Sequence, residues 1–497
     1  MTTKICVIGG GTAGWIAASY IKTLYKDRVD ITIVYDHNHP VIGVGESTTP
    51  SIISYLRIIG ISIRDVIDGI GATIKLGIKF DNWNGDNKYY YHNFNLFGDI
   101  PDIIADPNVI AGYEIANDLD TGAETHHPDI CNNRLVPTDI NGELNANVAL
   151  HIDGTLFSKF IKEKFSSDVT VIDDIILDAE IVGNEVKSIT GKTTGKITAD
   201  FFIDASGQNS FLLPKLGCEF IDKRQHIITD TALTIQVPHD NTNLPPYTES
   251  NATKDGWLWK IPLKNRYGLG YVYSSLCTSD EEAVEEFEKY LKNEFGYDIK
   301  VPNNPIKFVS GYYDKQWTGN CIAIGLASGF VEPLEATNIH MILVQIRAWT
   351  SLWNLHNTEW ARKKYNNIMT QMYQQCFEVI QLHYHTKRDD SKFWQKLKHI
   401  EAPWIKDYLE KCNTSFITSI DIYDNWDRKI APCIFGLTSY TRITKGLGIF
   451  NAELIKNWLI DNNYYSMAGQ SFVNTERIKV ELQKTYMTHD EFLNFKK

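Results

Sequence analysis

The sequence predicts an α/β fold in which a Rossmann-like nucleotide-binding sheet is followed by a mainly α-helical C-terminal cap. An apolar run at residues 4–8 enters a glycine-rich turn, and similar runs enter glycine turns near residues 207 and 325. Helical periodicity then dominates residues 339–394. With 497 residues, 43% of them hydrophobic, the chain is long enough for one large domain or two closely packed ones.

The first glycine turn has the spacing G-x-G-x-x-G between a strand and a helix. The first glycine allows the tight turn, the second lets the backbone approach a pyrophosphate, and the third lets the helix pack on the strand. The N-terminus of the helix then stabilises the phosphate charge. The predicted contacts to an ADP-containing cofactor are Gly9, Gly11, Thr12, Ala13 and Gly14.

A second strand, at residues 31–35, ends in Asp36. A carboxylate roughly 20 residues beyond the last glycine is typical of a ribose ligand in this type of fold. We therefore expect Asp36 to bind the ribose hydroxyls.

Composition excludes several classes of partner. The formal net charge of -12 argues against nucleic-acid or anionic-membrane binding, because both need a basic face. The eight cysteines show no C-x-x-C spacing, so no zinc site is expected, and His383 and His385 have no third ligand nearby. The N-terminal apolar stretch is interrupted by glycines, which predicts neither a signal peptide nor a spanning helix and favours a cytoplasmic location.

Residues 256–262 read GWLWKIP, which places Trp257 and Trp259 on one face of a strand. Together with the glycine fingerprint, this motif resembles the flavin-dependent halogenase family, particularly the tryptophan halogenase-like members. The resemblance implies an FAD-binding, two-domain flavin-monooxygenase-type fold. A halogenase must keep the flavin and the organic substrate apart so that halide reacts first, and two bulky rings between them would form that barrier.

The resemblance also assigns further cofactor contacts. Gly45 and Glu46 lie in a segment, residues 43–50, that is similar to the strap over the flavin in this family. Leu326 follows the last glycine turn at a position where many flavin hydroxylases carry an aspartate, and Ile339 lies shortly after it. No second glycine fingerprint follows a strand, so FADH2 is expected to come from a separate flavin reductase.

By the same resemblance, Glu335 is the catalytic glutamate, and Thr337 and Asn338 bind halide. A glycine or serine is usual where Asn338 stands, which favours bromide or iodide over chloride. Strand alternation puts Lys75 and Lys79 on one face and leaves both open as the catalytic lysine. The family's spacing to residues 82–83 selects Lys75, which would bind hypohalous acid by a hydrogen bond or react with it as a haloamine.

Tryptophan-selective halogenases hold the indole and the amino-acid backbone with an aromatic quartet before a Gly-Leu-Gly turn. This chain has Phe435, Tyr440 and Thr441 before that turn. We therefore expect Phe435 and Tyr440 to contact an electron-rich indole or phenol rather than free tryptophan, as in a viral or other family member that is not tryptophan-specific.

Other interpretations on the same fold remain open at this stage: an aromatic hydroxylase, a prenyl-chain reductase, and a flavin-binding redox sensor without catalysis. The sequence further predicts a division into residues 1–345, a cofactor and substrate core, and residues 346–497, a helical cap. A homo-oligomer is expected.

Overall fold

The computed structural model describes residues 2–38, 45–94, 107–119, 127–208, 210–240, 242–353, 358–402, 405–417 and 434–495. The α/β fold predicted from the sequence is confirmed.

The strands follow in chain order: β1 (Thr3–Ile8), β2 (Val29–Tyr35), β3 (Glu46–Ser47), β4 (Thr73–Lys75), β5 (Gly77–Asp81), β6 (Tyr89–Asn93), β7 (Leu135–Val136), β8 (Ala149–Ile152), β9 (Thr170–Asp173), β10 (Ile176–Val182), β11 (Glu185–Gly191), β12 (Gly195–Ile197), β13 (Phe201–Asp204), β14 (Phe220–Asp222), β15 (Thr231–Pro238), β16 (Thr248–Ala252), β17 (Gly256–Pro262), β18 (Arg266–Tyr273), β19 (Ile306–Lys307), β20 (Gly311–Tyr313), β21 (Trp317–Thr318), β22 (Cys321–Ala323), β23 (Gly329–Phe330) and β24 (Met487–Thr488). The helices are α1 (Thr12–Tyr25), α2 (Ser51–Ile58), α3 (Ile63–Ile70), α4 (Pro107–Ala116), α5 (His127–Asn132), α6 (Gly154–Phe165), α7 (Asp280–Phe295), α8 (Thr337–Ser351), α9 (Glu359–His383), α10 (Lys392–Leu397), α11 (Lys406–Cys412), α12 (Leu437–Leu447), α13 (Ala452–Asp461), α14 (Tyr465–Gln483) and α15 (His489–Asn494), with short 3₁₀ turns at Lys26–Arg28, Gly325–Ala327 and Pro333–Glu335.

The chain folds into two compact units, and each unit is assembled from three separate segments. The first unit comprises Met1–Ala72, Ile152–Asp230 and Lys307–Gln374, and the second comprises Thr73–His151, Thr231–Ile306 and Gln375–Lys497. This division differs from the linear one at residue 345 because the chain enters and leaves each unit repeatedly.

The first unit is built on a six-stranded sheet in the order β21-β22-β13-β1-β2-β9. The central strand β1 pairs in parallel with both β13 and β2, so Ile5 lies beside Phe201 and Ile31. Buried apolar side chains of β1, β2, β13 and β22 form a continuous core with those of β11. This parallel arrangement, with α1 directly after β1, is the predicted Rossmann-like layout.

The main sheet of the second unit places its strands in the order β15, β18, β17, β16, β5 and β6. Helix α7 covers one face, and Phe287 and Leu291 pack against Leu258 and Leu269 of the sheet. The sequence of α7 sets its start, because Ser279 and Glu282 form a reciprocal capping box.

One expectation from strand alternation is wrong. Lys75 and Lys79 do not share a strand: Lys75 ends β4, which pairs with β8, whereas Lys79 lies in β5, which pairs with β6 and β16. Leu76 interrupts the strand, because its N–H donates to the Pro246 carbonyl. Alternation predicts a common face only within one continuous strand.

Beyond residue 346 the described elements are helices apart from β24, as the predicted helical region requires. Within the described ranges, every helix is too short or too polar to cross a bilayer. A cytoplasmic location stays a prediction.

Candidate active site

The glycine turn of the first unit is packed too tightly for other residues at three of its positions, Gly9, Gly10 and Gly14. Gly9 has φ +113°, and a Cβ there would lie 2.2 Å from the Ala205 carbonyl oxygen. A Cβ at Gly14 would lie 2.0 Å from the Gly9 oxygen. These glycines therefore let β1, α1 and the turn after β13 approach one another.

Gly11 differs from its neighbours, because a Cβ added to it would meet no atom within 4 Å. Gly11 is also the N-cap of α1 and makes no side-chain cap, and the first turn of α1 has no acidic residue. Thr12 and Ala13 are half-buried at this helix end. An open space at an uncapped helix N-terminus fits the pyrophosphate of a dinucleotide.

The predicted ribose ligand, Asp36, lies next to Tyr35, which packs on the glycine turn. Asp36 is half-buried and accepts a hydrogen bond from the Asn38 N–H at 2.9 Å in a local turn. The Tyr35 ring packs over Gly10, where a Cβ would lie 2.4 Å from the ring, and its hydroxyl accepts from Lys162 Nζ at 2.7 Å. Asp36 stays a predicted ribose ligand, and Tyr35 closes the turn beside it.

The strap prediction, residues 43–50, is described from Gly45 onward, and residues 43–44 lie outside the described ranges. Gly45 has φ +89°, a backbone conformation that favours glycine. Glu46 packs so closely on the start of α6 that a Cβ at Gly154 would lie 2.0 Å from its Oε1. Burial, and secondarily the charge of Asp153, raise the pKa of the Glu46 carboxyl to about 7.

Leu326 lies in a turn whose polar groups form hydrogen bonds with the side chain of Gln345 in α8. The Gly325 N–H donates to Gln345 Oε1 at 2.8 Å, and Gln345 Nε2 donates to Ser328 Oγ at 2.6 Å. A Cβ at Gly325 would lie 3.2 Å from both the Ala13 Cβ and Ile342 Cγ1. The last glycine turn thus meets the starts of α1 and α8, and Leu326 itself stays half-buried at their junction.

The predicted glutamate and halide residues form one continuous turn and helix start. Glu335 ends a 3₁₀ turn and is buried, and Ala336 follows with φ +54° as the N-cap of α8. Thr337, Asn338 and Ile339 are then the first three residues of α8, which has no side-chain cap. Uncapped backbone N–H groups and the helix dipole make this end suitable for an anion.

His340, in the first turn of α8, escaped the sequence analysis. Its Nδ1 lies 3.1 Å from Thr49 Oγ1 and 3.0 Å from Ser51 Oγ, so it ties the end of the strap segment to the predicted halide helix. Burial, aided by the charge of Arg347, lowers its pKa to about 4. The ring is therefore neutral, and Nδ1 shares hydrogen bonds with the two hydroxyl groups.

In the second unit, Lys75 and Lys79 have different surroundings. Lys75 is 1% exposed, and its Nζ lies 5.1 Å from the centre of the Phe94 ring. Lys79 is half-buried and forms an ion pair with Asp81 at 2.8 Å. Lys75 is therefore the more deeply buried of the two lysines, and it lies against an aromatic ring.

His151, which the sequence suggests is a satisfied core histidine, lies on the strand beside Lys75. Thr73 Oγ1 donates to the Pro262 carbonyl at 2.5 Å, so the His151 Nδ1–H must donate to Thr73, 3.0 Å away. His151 Nε2 then accepts from Thr248 Oγ1. Burial, then the charges of Lys75 and His489, hold the pKa of His151 well below its usual value.

Trp257 and Trp259 share one face of β17, with ring centroids 6.1 Å apart. Small residues make room for them: Trp257 pairs with Ala252, and Trp259 pairs with Gly270, where a Cβ would lie 2.1 Å from the indole. Both rings are buried, and neither indole N–H meets an acceptor among the described residues. The two indole rings therefore form a buried apolar surface, and their two N–H groups have no acceptor among the described residues.

The two predicted substrate contacts differ in their access. Phe435 is buried, with its ring 6.1 Å from that of His92. Tyr440 has no exposed surface, and its hydroxyl donates to Glu378 at 3.2 Å while its ring packs on Tyr408. The Tyr440 hydroxyl is therefore engaged within the fold, and substrate contact at Phe435 and Tyr440 stays a prediction.

Comparisons with known proteins identify the family of this chain. The sequence profile described as tryptophan halogenase matches residues 4–456. The chain is 30% identical to the tryptophan 7-halogenase RebH of Lentzea aerocolonigenes, over 95% of this chain and 90% of RebH. It is also 30% identical to the 7-chloro-L-tryptophan 6-halogenase KtzR of Kutzneria sp. (strain 744), over 98% of each.

A solved structure extends the agreement to three dimensions. The tryptophan 6-halogenase SttH from Streptomyces toxytricini superimposes with a TM-score of 0.89 at 25% identity, covering 99% of both chains. The glycine turns with uncapped helix ends, the buried lysine and the paired-tryptophan strand therefore occur on the fold of enzymes that halogenate. The chain belongs to the tryptophan halogenase family of flavin-dependent halogenases.

Proposed function

We propose that this enzyme uses FADH2, dioxygen and halide to halogenate an electron-rich indole or phenol through hypohalous acid, with bromide or iodide favoured over chloride. The observation that carries the proposal is Lys75, a cation 1% exposed that lies over the ring of Phe94. Such a group can hold a neutral electrophile against an aromatic surface.

The first unit would hold the flavin. Its pyrophosphate would lie at the open Gly11 and the N-terminus of α1, with Asp36 at the ribose and Gly45, Glu46 and Leu326 near the rest of the cofactor. Bound reduced flavin supplies, with dioxygen, the oxidation of halide. Across its full length the sequence carries one glycine fingerprint, so we propose that a separate reductase delivers FADH2.

Thr337 and Asn338 would bind the halide through the uncapped N-terminus of α8. Glu335, buried one residue before the αL turn, would position the hypohalous acid and stabilise the cationic ring intermediate. The Asn338 side chain crowds this helix end more than glycine or serine would. Bromide and iodide, which are more weakly hydrated and so lose less when contacts are restricted, would tolerate that better than chloride.

Trp257 and Trp259 would keep the aromatic substrate and water from the flavin. Their burial side by side on one face of β17, with ring centroids 6.1 Å apart, supports this role. Lys75 would then present the hypohalous acid to the substrate ring, either by hydrogen bonding or as a haloamine.

The substrate proposal rests on what the region before the Gly-Leu-Gly turn offers. Phe435 remains a candidate for stacking on the substrate ring. The hydroxyls of Tyr440 and Thr441 are already engaged by Glu378 and Asn108, so neither is placed to clamp an amino-acid backbone. Free tryptophan should therefore be a poor substrate.

A competition assay tests substrate and halide together. The enzyme, a flavin reductase and equimolar chloride, bromide and iodide would be incubated with indoles, phenols and free tryptophan, and products identified by mass spectrometry. Brominated or iodinated indoles or phenols should dominate. Chlorinated tryptophan as the main product would contradict both parts of the proposal.

Asn338→Gly tests the halide argument by itself. Removing the side chain should raise the share of chlorinated product in the same competition, because the helix N–H groups become less crowded. Asn338→Gln, which keeps the amide, is the matched variant. An unchanged halide ratio in Asn338→Gly would exclude a role for this side chain.

Family membership does not favour the hydroxylase alternative. Halide dependence separates the two activities, because a hydroxylase forms product without halide. Homo-oligomer formation stays a prediction that light scattering can check.

A further inference from the structure

The strand that carries Lys75 is buried, and among the described residues it pairs with another strand along one edge only. β4 pairs with β8 on one side, and within the described ranges no strand pairs with its other side. A strand of three residues that is paired on one side only has few backbone hydrogen bonds to hold its position. The placement of Lys75 therefore depends on what fills the open edge.

A histidine side chain fills that edge. The Ile74 N–H donates to His489 Nε2 at 3.1 Å, and His489 Nδ1 donates to the Leu244 carbonyl at 3.0 Å. Because a backbone N–H can only donate and a carbonyl can only accept, the ring must carry its proton on Nδ1. The imidazole thus bridges β4 to residues 244–246, one of which, Pro246, accepts the Leu76 N–H directly.

The C-terminal segment holds this imidazole firmly. β24 pairs with β7, and the His489 N–H donates to the Arg134 carbonyl at 2.8 Å. Thr488 and Glu491 form a capping box at the start of α15, and Asp490 accepts from the backbone N–H groups of Asn243 and Leu244. His489 itself has no exposed surface.

We propose that His489 is a positioning residue for Lys75: by bridging Ile74 to Leu244 it fixes the β4 edge and hence the place of the lysine next to it. This inference rests on the proposed role of Lys75. His489 lies beyond residue 456, where the family profile ends, so the inference comes from this chain's own hydrogen bonds.

A side chain of β4 itself, that of Thr73, makes a second contact that holds the strand in place. Thr73 donates to the carbonyl of Pro262, at the end of the strand that carries Trp257 and Trp259. The residues on each side of Ile74 are therefore held by different partners, and the Ile74 N–H depends on His489. Loss of the imidazole leaves a buried N–H and a buried carbonyl without their partner, which favours displacement of the strand.

The experiment measures halogenated product formed per flavin oxidised, using the best substrate from the competition assay with bromide. With enzyme in excess over reduced flavin, the flavin is oxidised while bound, so a partial loss of folded protein does not change this ratio. In His489→Phe the ratio should fall at least about tenfold, because a displacement near 1 Å can cost about a hundredfold in rate. Flavin affinity and flavin oxidation should stay near the original values.

Two variants sharpen the test. His489→Gln retains an acceptor and a donor on one planar group and should restore the ratio to within about threefold of the original. Leu493→Ala, on the same helix, removes a buried apolar side chain and leaves the His489 imidazole in place. It should lower the melting temperature but leave the ratio unchanged. If His489→Phe yields no folded protein, His489→Asn, which cannot reach Ile74 as the imidazole does, takes its place.

The outcomes separate the inference from the function it rests on. A normal ratio in folded His489→Phe, or an equal loss in Leu493→Ala, overturns the positioning role. If Lys75→Ala, assayed in parallel, keeps a normal ratio, the proposed role of Lys75 fails instead. Loss in Lys75→Ala and His489→Phe with rescue in His489→Gln supports both.

Discussion

The two units hold their functional groups in different ways. In the first unit the predicted contacts are largely backbone groups, presented by glycine turns and by the uncapped starts of α1 and α8. In the second unit they are large side chains, Lys75, Trp257 and Trp259, whose places depend on partners far away in sequence. A site made of backbone groups depends on a local sequence motif, whereas a site made of side chains depends on contacts between segments that are distant in sequence.

This difference implies different sensitivities to mutation. In the first unit, the effect of replacing a glycine with alanine on stability or flavin affinity should depend on the free space around that Cα atom. In the second unit the loss of a side chain should change chemistry while leaving the flavin site intact. Four sets of variants test that contrast, from the largest expected effect to the smallest.

Lys75→Ala should reduce halogenation by about 10²- to 10⁴-fold, the range for a positioned catalytic group, while flavin binding and oxidation continue. Product formation and flavin oxidation would be measured on the same samples. Lys79→Ala is the matched control, because that lysine is paired with Asp81, and it should retain activity. The reverse result would transfer the catalytic role to Lys79.

Gly14→Ala and Gly11→Ala should separate packing from binding in the first unit. Alanine at position 14 places its Cβ 2.0 Å from the Gly9 oxygen and should cost about 1–3 kcal/mol in the free energy of unfolding. Alanine at position 11 has room, so stability should hold, but flavin affinity should fall at least about tenfold, or about 1.4 kcal/mol.

Urea unfolding and fluorescence titration of FAD would measure these two quantities. Equal stability losses in both variants would mean that Gly11 is packed as tightly as Gly14. Unchanged FAD affinity in Gly11→Ala would show that the pyrophosphate does not lie there.

Trp257→Leu with Trp259→Leu should uncouple flavin oxidation from halogenation, because water or substrate then reaches the flavin. Hydrogen peroxide or hydroxylated product should rise as halogenated product falls. Leu258→Ala, on the opposite face of the same strand, is the control: it should cost about 2–5 kcal/mol in stability without uncoupling. Normal coupling in the double variant would remove the barrier role.

The smallest effect concerns pH. The pKa of His489 is lowered by burial to about 4, below an unfolded value near 6.5, so the unfolded state binds more protons between these values. Its stabilising contribution is therefore complete above pH 6.5 and is lost as pH falls towards 4, with a slope of at most about 1.4 kcal/mol per pH unit.

The comparison of His489→Gln with the original protein isolates this contribution. Urea unfolding at pH 7, 6 and 5 should show a flatter decline for the variant, since one titrating group is gone. The Glu46 carboxyl, with its pKa raised to about 7, acts in the opposite direction in both proteins and cancels in the difference. Parallel declines would mean that His489 does not titrate in this window.

The sequence by itself determined the features that depend on neighbours along the chain. The G-x-G-x-x-G spacing predicted β1, the turn and α1, and the apolar runs before the later glycine turns predicted two further strands. These are β13, which pairs with β1, and β22, which pairs with β13. Glu335, Thr337 and Asn338 likewise follow one another across a single turn. These predictions rest on local backbone geometry, which nearby residues control.

Only the tertiary structure decided how the side chains of the second unit are held. Alternation could not separate Lys75 from Lys79, because a break at Leu76 sends the two lysines to different sheets. The sequence predicts Tyr440 as a substrate contact, but not the hydrogen bond of its hydroxyl to Glu378, 62 residues away. The Thr488–Glu491 capping box could have predicted the start of α15, but not that His489 meets Ile74 across 415 residues. Such contacts depend on the packing of distant segments, which no local pattern encodes.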